Sequence, residues 1–398
     1  MNIKCLRCKG RGYCGRSVCP QYMKLNSIAK AKGRHNKTEF SSQSPAPFVG
    51  RFGYPQVNVG LLSPPENTNN SWLYDAPRHW ANNNYNIPKV VDLRSSLLNS
   101  KYKTGVKNLK YIDRIQEVGL ASKPVDMDFS LEDKPVFRVQ SDSVSAPTGP
   151  DAKLKKTCIT SNPKVDKRVD KVNSDTDLKA TDAMNYLYNK GFDENFLSRI
   201  LSVGTIGTKE NRKLVPTRWS ITATDDTLGK SITKEIADYK EINDYMAYFG
   251  EYLGNYYLIM LLPGLWGYEL FETVTGSSEY MHDYETQGGR KYYAENCAGG
   301  YYTVRLAVLE KLKEMKRKAT CIAIRVITGD YSVPLGVWVT REAARKALSN
   351  NPINFASKEL MLNYAKLILN KKFGIKKDEI IGSSKLLSYK QNTLDKFC

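Results

Sequence analysis

Histidine is scarce in this 398-residue sequence: only His35, His79 and His282 occur, far apart. A histidine-based metal centre, which needs several imidazoles around one ion, is thereby excluded. His282 alone stands near acids, Asp283 and Glu285. Long apolar runs are missing too. The most apolar stretch, 256–271, is too short to span a membrane and is broken by Pro263, Gly264 and Gly267, so it reads as buried strands. The N-terminus begins on cysteines and bases rather than an apolar leader; no export and a cytoplasmic location are expected. Disulfides are not expected there, unless the organism is a hyperthermophile. No repeat of domain-building length is visible. Acids are few at both ends. Residues 1–39 hold ten Lys or Arg against one acid and residues 301–398 nineteen against eight, whereas 40–300 is balanced at 31 against 32. With a net charge of +19, such ends suit nucleic-acid phosphates, although they also serve solubility.

What the N-terminus does have is a cysteine cluster. Cys5, Cys8, Cys14 and Cys19 stand as C-x2-C-x5-C-x4-C, while the other four cysteines are scattered. Four nearby thiolates suit tetrahedral Zn2+, and Gly10, Gly12 and Gly15 let the chain turn around it. A stretch so poor in apolar residues needs such a staple to fold. The chemical alternative is an iron–sulfur cluster, since Cys19-Pro20 echoes the end of ferredoxin runs; disulfides or free thiols are a third. Interleaved bases, among them Lys9, Arg11 and Arg16, fit nucleic-acid contact or simply offset the thiolate charge.

The remainder reads as an α+β protein: strands and helices mix without a regular βαβ rhythm. Residues 45–65 are rich in Gly and Pro and read as a loop with extended pieces; 106–120 has helical spacing and 134–139 looks like a strand. The polar stretch 140–180 reads as a linker or surface excursion around one short strand near 156–160. Helical patterns follow at 180–201. Strands are expected at 217–223, 256–262, 265–272, 321–328 and 335–340, with helices at 302–317 and 357–370. The expected organisation is a cysteine-rich module at 1–40, a first body domain at 41–290, a basic α/β domain at 291–384 and a tail at 385–398.

That tail ends on Gln391-x-x-Leu394-x-x-Phe397. In a short 3-10 turn Leu394 and Phe397 share a face and form an apolar plug, and Gln391 bonds at the pocket edge. Peptides bind the sliding clamp PCNA in this way. Cys398 stands where a second aromatic residue is usual, which predicts weaker binding; the alternative is a tail that packs back on the body.

Long motifs carry a resemblance: the cysteine cluster with its CGRSVCP end, PAPFVGRFGYPQVNVG, VVDLRSSLL, VPTRWSITATDD, LLPGLWGYELFE, GGYYTVRLAVLEKLK and PLGVWVTREAARKAL. Over nearly its full length the chain resembles the Nre family of archaeal DNA repair proteins. The resemblance implies an N-terminal zinc finger, a body in two parts, a clamp-interacting C-terminus and a role in DNA repair alongside other repair proteins. It implies no particular reaction.

Two readings of the body follow. In the first, the protein is a DNA-binding repair factor whose zinc module and basic faces, with Lys9, Arg11, Arg16, Arg218, Arg290 and Lys291 as candidates, bind DNA. Within the body Arg51, Arg78, Arg94, Arg218, Arg290 and Lys291 are the candidate phosphate ligands of either reading. In the second, the protein is a metal-dependent nuclease or nucleotide-processing enzyme with its site around Arg218, Asp225, Glu269 and Arg290. Asp225, Asp226, Glu269, Glu272, Asp283 and Glu285 would then converge near strand ends to hold Mg2+, and the amides at Gly288–Gly289 and Gly299–Gly300 would face an anion. Asp225-Asp226 as a helix N-cap and Arg218–Glu269 as a structural pair are the plain alternatives. The same acids dispersed, or each paired with an arginine, would favour the binding protein. RNA binding is a third reading, against which the clamp motif speaks.

Overall fold

Two six-stranded sheets organise the computed structural model. It describes residues 36–66, 68–108, 112–137, 146–277, 279–375 and 380–388, with Cys19, Met23, Asn26, Ser27, Ala29 and Lys32. The chain divides into two compact units, Met1–Leu228 with Ser332–Gly336, and Gly229–Tyr331 with Val337–Cys398. Along the chain these compact units meet at 228/229, and strands on both sides of residue 290 share one sheet.

The first unit is built on β1 (Glu39–Ser44), β2 (Ala46–Val49), β3 (Gln56–Ser63), β4 (Leu98–Gly105), β5 (Val125–Leu131) and β6 (Asp151–Ile159). Their order is β1-β5-β6-β4-β3-β2. Only β4 and β6 run parallel. Strand β5 shows why the sheet forms: Val125, Met127, Phe129 and Leu131 alternate inward, with polar residues between them. They join Val57, Val59, Leu61 and Leu98 in one core with Ile115 and Val118. The helices are α1 (Pro77–Asn82), α2 (Ile87–Ser96), α3 (Asp113–Leu120), α4 (Lys167–Ser174), α5 (Ala180–Asn189) and α6 (Glu194–Ser202). Side-chain oxygens of Asn86 and Asp193 accept from backbone amides to start α2 and α6.

Three expectations are corrected here. The described part of 140–180 is not a linker: the short strand expected near 156–160 is the end of a longer β6 that lies inside the sheet, and α4 follows it. Its polar look arises because Ala152, Leu154 and Thr157 face inward while Lys153, Lys155 and Lys156 face out. Of the strand expected at 134–139, the described residues show a single bridge from Val136 to Asp151. The helix expected over 106–120 begins only at Asp113.

Helix α7 (Thr217–Ile236) starts in the first unit and ends in the second. A strand was expected over 217–223 because Thr, Trp and Ile cluster there. Burial at Ser220, Thr224, Leu228, Ile232 and Ile236 instead follows the helical period. Asp225 and Asp226 are therefore mid-helix residues, not an N-cap or a strand end.

The second unit contains β7 (Lys240–Glu241), β8 (Tyr245–Tyr252), β9 (Asn255–Leu262), β10 (Gly267–Val274), β11 (Tyr280–Glu285), β12 (Arg317–Lys318), β13 (Thr320–Ile327) and β14 (Ile353–Phe355). Its main sheet runs β11-β10-β13-β9-β8-β14, and β10 and β13 are the parallel pair. The helices are α8 (Ala298–Met315), α9 (Trp338–Ser349), α10 (Lys358–Phe373) and α11 (Lys385–Ser388). Leu258, Met260, Phe271, Ile322 and Ile324 pack with Met361, Ala365, Leu369 and Phe373 of α10. Helix α9 packs against β8, β9 and α8. The strand expected at 335–340 is instead the lead into α9 and its first turn. Among the described residues no helix is long and apolar enough to cross a membrane. The α+β class holds; three of the four cysteines of the proposed metal module lie outside the described residues.

Candidate nucleic-acid interface

Strands β4 and β6 pair only over Asn99–Lys101 and Asp151–Lys153. Beyond Lys101 each strand keeps its outer partner, β4 with β3 and β6 with β5, and the space between them opens as a trough of about 600 Å³. A β-bulge in β6 sets its charge. Leu131 pairs with Leu154 and Ser130 with Lys156, so Lys155 is the extra residue. The usual alternation breaks there, and Lys155 and Lys156 both face solvent. Lys103 from β4 and Arg114 from α3 complete a ring of four exposed cations on the trough walls. Neighbouring Lys101 is tied to Asp151 at 2.7 Å and Lys153 to Glu132 at 3.6 Å. Among the described residues no ion pair holds Lys103, Arg114, Lys155 or Lys156. The acids on the same face of β5 already accept bonds: Asp126 from Gln43 Nε2 at 2.9 Å and Asp128 from Ser41 Oγ at 2.6 Å. Tyr102 also lines the trough; burial, then the Asp113 carboxylate, push its phenol up to about 12, so it is a neutral hydrogen-bonding group there. Cations with no ion-pair partner among the described residues, gathered around a gap in the sheet, make a surface suited to phosphate oxygens.

The acids of the second unit behave differently. Glu272 and Arg325 lie on paired strands, with Arg325 Nη1 2.7 Å from Glu272 Oε1; both are buried, and Arg325 Nε also donates to Asn255 Oδ1 at 3.0 Å. Glu285 accepts from Arg305 Nε at 2.7 Å and Trp266 Nε1 at 2.9 Å. Asp283 accepts from the Cys297 amide at 2.7 Å and lies 3.1 Å from Arg290 Nη2. Glu269 accepts from His282 Nε2 at 2.6 Å, from Ser384 Oγ and from the Lys385 amide at 2.7 Å. Each carboxylate thus has its own donors, and among the described residues no three His, Cys, Asp or Glu side chains come together to hold a metal ion. The expected convergence of these acids is not found. The tract Gly299–Gly300 has a packing role: a Cβ on Gly300 would fall 2.9 Å from Glu272 Oε1. The Cys297 thiol is held in its neutral form. Burial, then the Glu272 and Asp283 carboxylates, push it well above the ordinary thiol range.

Of the other predicted residues, Arg218 is exposed in the first turn of α7 and Lys291 is exposed beyond β11. Arg290 is a latch rather than an open anion contact, donating to Tyr284 O at 2.7 Å as well as pairing with Asp283. Arg94 pairs with Asp75 at 2.5 Å, whereas Arg51 and Arg78 are exposed. Arg218 and Glu269 belong to different units, and Glu269 has the donors just named. Cys5, Cys8, Cys14, Lys9, Arg11 and Arg16, and also Gln391, Leu394 and Phe397, lie outside the described residues; Cys19 is half-buried. The sequence reading missed Lys103, Arg114, Lys155 and Lys156, which three separate elements supply. The available signal was the pair Lys155-Lys156 directly after an inward leucine, a break in strand alternation.

The described residues define a two-unit α+β protein with one cationic trough. The chain belongs to the archaeal Nre family: the family's N-terminal model matches residues 13–281 and its C-terminal model residues 285–397. It is 36% identical over 370 residues to the DNA repair protein NreB of Archaeoglobus fulgidus, covering 91% of this chain and 92% of the relative. It is 37% identical over 325 residues to the DNA repair protein NreA of Haloferax volcanii, covering 77% of each. With NreA of Archaeoglobus fulgidus it shares 36% over 369 residues, 90% of this chain and 91% of the relative. No solved structure matches the chain significantly.

Proposed function

We propose that this chain is a DNA repair protein that binds DNA along the trough of its first unit and is recruited to the sliding clamp PCNA by its C-terminal motif. The observation that carries the DNA reading is the ring of Lys103, Arg114, Lys155 and Lys156 around the gap in the sheet. The names of the relatives supply the repair context. For the clamp, the support is the motif Gln391-x-x-Leu394-x-x-Phe397 and its root. Glu269 fixes the first amides of α11, and Leu387 packs on the core of the second unit, so the motif follows directly from an anchored turn. The four thiols of Cys5, Cys8, Cys14 and Cys19 suit a structural Zn2+ that folds the N-terminal module. Lys9, Arg11 and Arg16 of that module, with exposed Arg218 and Lys291, would add phosphate contacts. Two linked attachments, one to DNA and one to the clamp, raise each other's occupancy through effective concentration.

The clamp reading is tested by calorimetric titration of the full-length protein into the organism's own sliding clamp. Saturable binding by the wild type and its loss in Leu394→Ala/Phe397→Ala are expected. Equal binding by the variant would overturn the assignment of the tail.

A further inference from the structure

The turn between β2 and β3 displays aromatic rings to solvent. Phe52 is 77% exposed and Tyr54 41%, and Trp219 from the first turn of α7 is 45% exposed. Arg51 and Arg218 stand exposed beside them. The Arg51 guanidinium lies 4.8 Å from the Phe52 ring centroid, and the Tyr54 and Trp219 rings are 5.1 Å apart with a 53° tilt. This display is held in place. Gly50 N donates to Asn58 O and Gln56 N to Gly53 O, each at 2.8 Å, and Val106 N donates to Pro55 O at 3.1 Å. Gly53 sits at φ +83°, and a Cβ there would fall 2.8 Å from Gln56 O, so the turn requires glycine. The start of α7 is tied to β2, since Val49 N donates to Thr217 Oγ1 at 3.0 Å, and this sets Trp219 beside the turn.

The turn also adjoins the trough. Gln56, the first residue of β3, pairs with Gly105, and both line the trough wall with Lys103. Cations for a sugar–phosphate chain and open ring faces therefore lie side by side in one unit. In an intact duplex the bases stack on each other and offer no face, whereas an unpaired base offers its face to an aromatic ring. Flanking positive charge argues for a nucleic-acid occupant over an apolar protein segment.

We propose that Phe52, Tyr54 and Trp219 form a stacking platform for unpaired bases of single-stranded DNA whose backbone lies in the trough, so that the protein selects DNA with unpaired bases over intact duplex. This proposal rests on the DNA-binding reading above.

The test is fluorescence anisotropy of the full-length protein with labelled oligothymidylate and with a blunt duplex of equal length, at the same salt. The wild type binds the single strand more tightly. In Phe52→Ala/Tyr54→Ala the single-strand affinity falls about ten-fold or more and the preference for it collapses, while Phe52→Tyr/Tyr54→Phe restores it; melting curves establish that each variant is folded. An unchanged preference in the alanine variant overturns the platform, as does a wild type that prefers duplex. If Lys155→Gln/Lys156→Gln still weakens binding in that case, the DNA reading of the trough stands and only the stacking falls. A wild type that binds neither DNA at low salt removes both. Tighter binding of oligouridylate than of oligothymidylate reassigns the platform to RNA and overturns the DNA assignment.

Discussion

The two units use positive charge in opposite ways. In the second, Arg305 and Arg325 are buried, each on its own glutamate, and Arg345 is held between Glu310 and Glu342. In the first, Lys103, Arg114, Lys155 and Lys156 stand in the open around a gap in the sheet. The basic excess of residues 301–398 therefore does not mark a binding face by itself, because part of it lies inside the fold. The balanced middle of the chain, by contrast, holds the cationic trough. Charge counted along a sequence reports partners only after the fold has sorted paired from unpaired groups.

This contrast can be broken or sharpened by substitution. The largest expected effect belongs to the proposed N-terminal metal module, whose bases surround four cysteines. Cys5→Ser/Cys8→Ser should lose about one equivalent of zinc on the four-ligand rule, and with it binding worth on the order of 10 kcal/mol to that module's folding. Elemental analysis of the purified protein checks this, and a wild type without metal would refute the site. Next comes Arg325→Ala, which leaves Glu272 buried without its cation and should destabilise by about 3–5 kcal/mol. Denaturant unfolding measures it; a loss below about 1 kcal/mol would mean the pair is not the structural element described. Smallest in stability is Lys155→Gln/Lys156→Gln, expected within about 0.5 kcal/mol of wild type because exposed residues of this kind contribute little.

Much of this organisation was legible in the sequence, for identifiable reasons. Strands β9, β10 and β13 are rich in aliphatic and aromatic residues over strand length, and α8 carries an apolar stripe at helical spacing, so these elements, and α10, agree with the expectation. Of strand β6 only a short piece near 156–160 was legible; its N-terminal half was hidden because one of its faces is lysine, and polar composition passes for a linker. The start of α7 was hidden because Thr, Trp and Ile favour strands locally, while burial at helical spacing decides the outcome. In sequence the acids read as a candidate metal-holding set; their spacing does not reveal that Arg325 reaches Glu272 from the adjacent strand or that Arg305 reaches Glu285. The trough was least legible. It depends on where parallel pairing between β4 and β6 stops and on a bulge at Lys155, neither of which composition records.

The most direct test of the central claim is the salt dependence of DNA binding by wild type and Lys103→Gln/Lys155→Gln/Lys156→Gln, measured by anisotropy on duplex and single strand. If the trough is the DNA face, the variant binds both more weakly, and the slope of log affinity against log salt becomes shallower by roughly 0.7–0.9 for each lysine lost. Unchanged affinity and slope, with the fold intact, would contradict the account and move the DNA face elsewhere on the molecule.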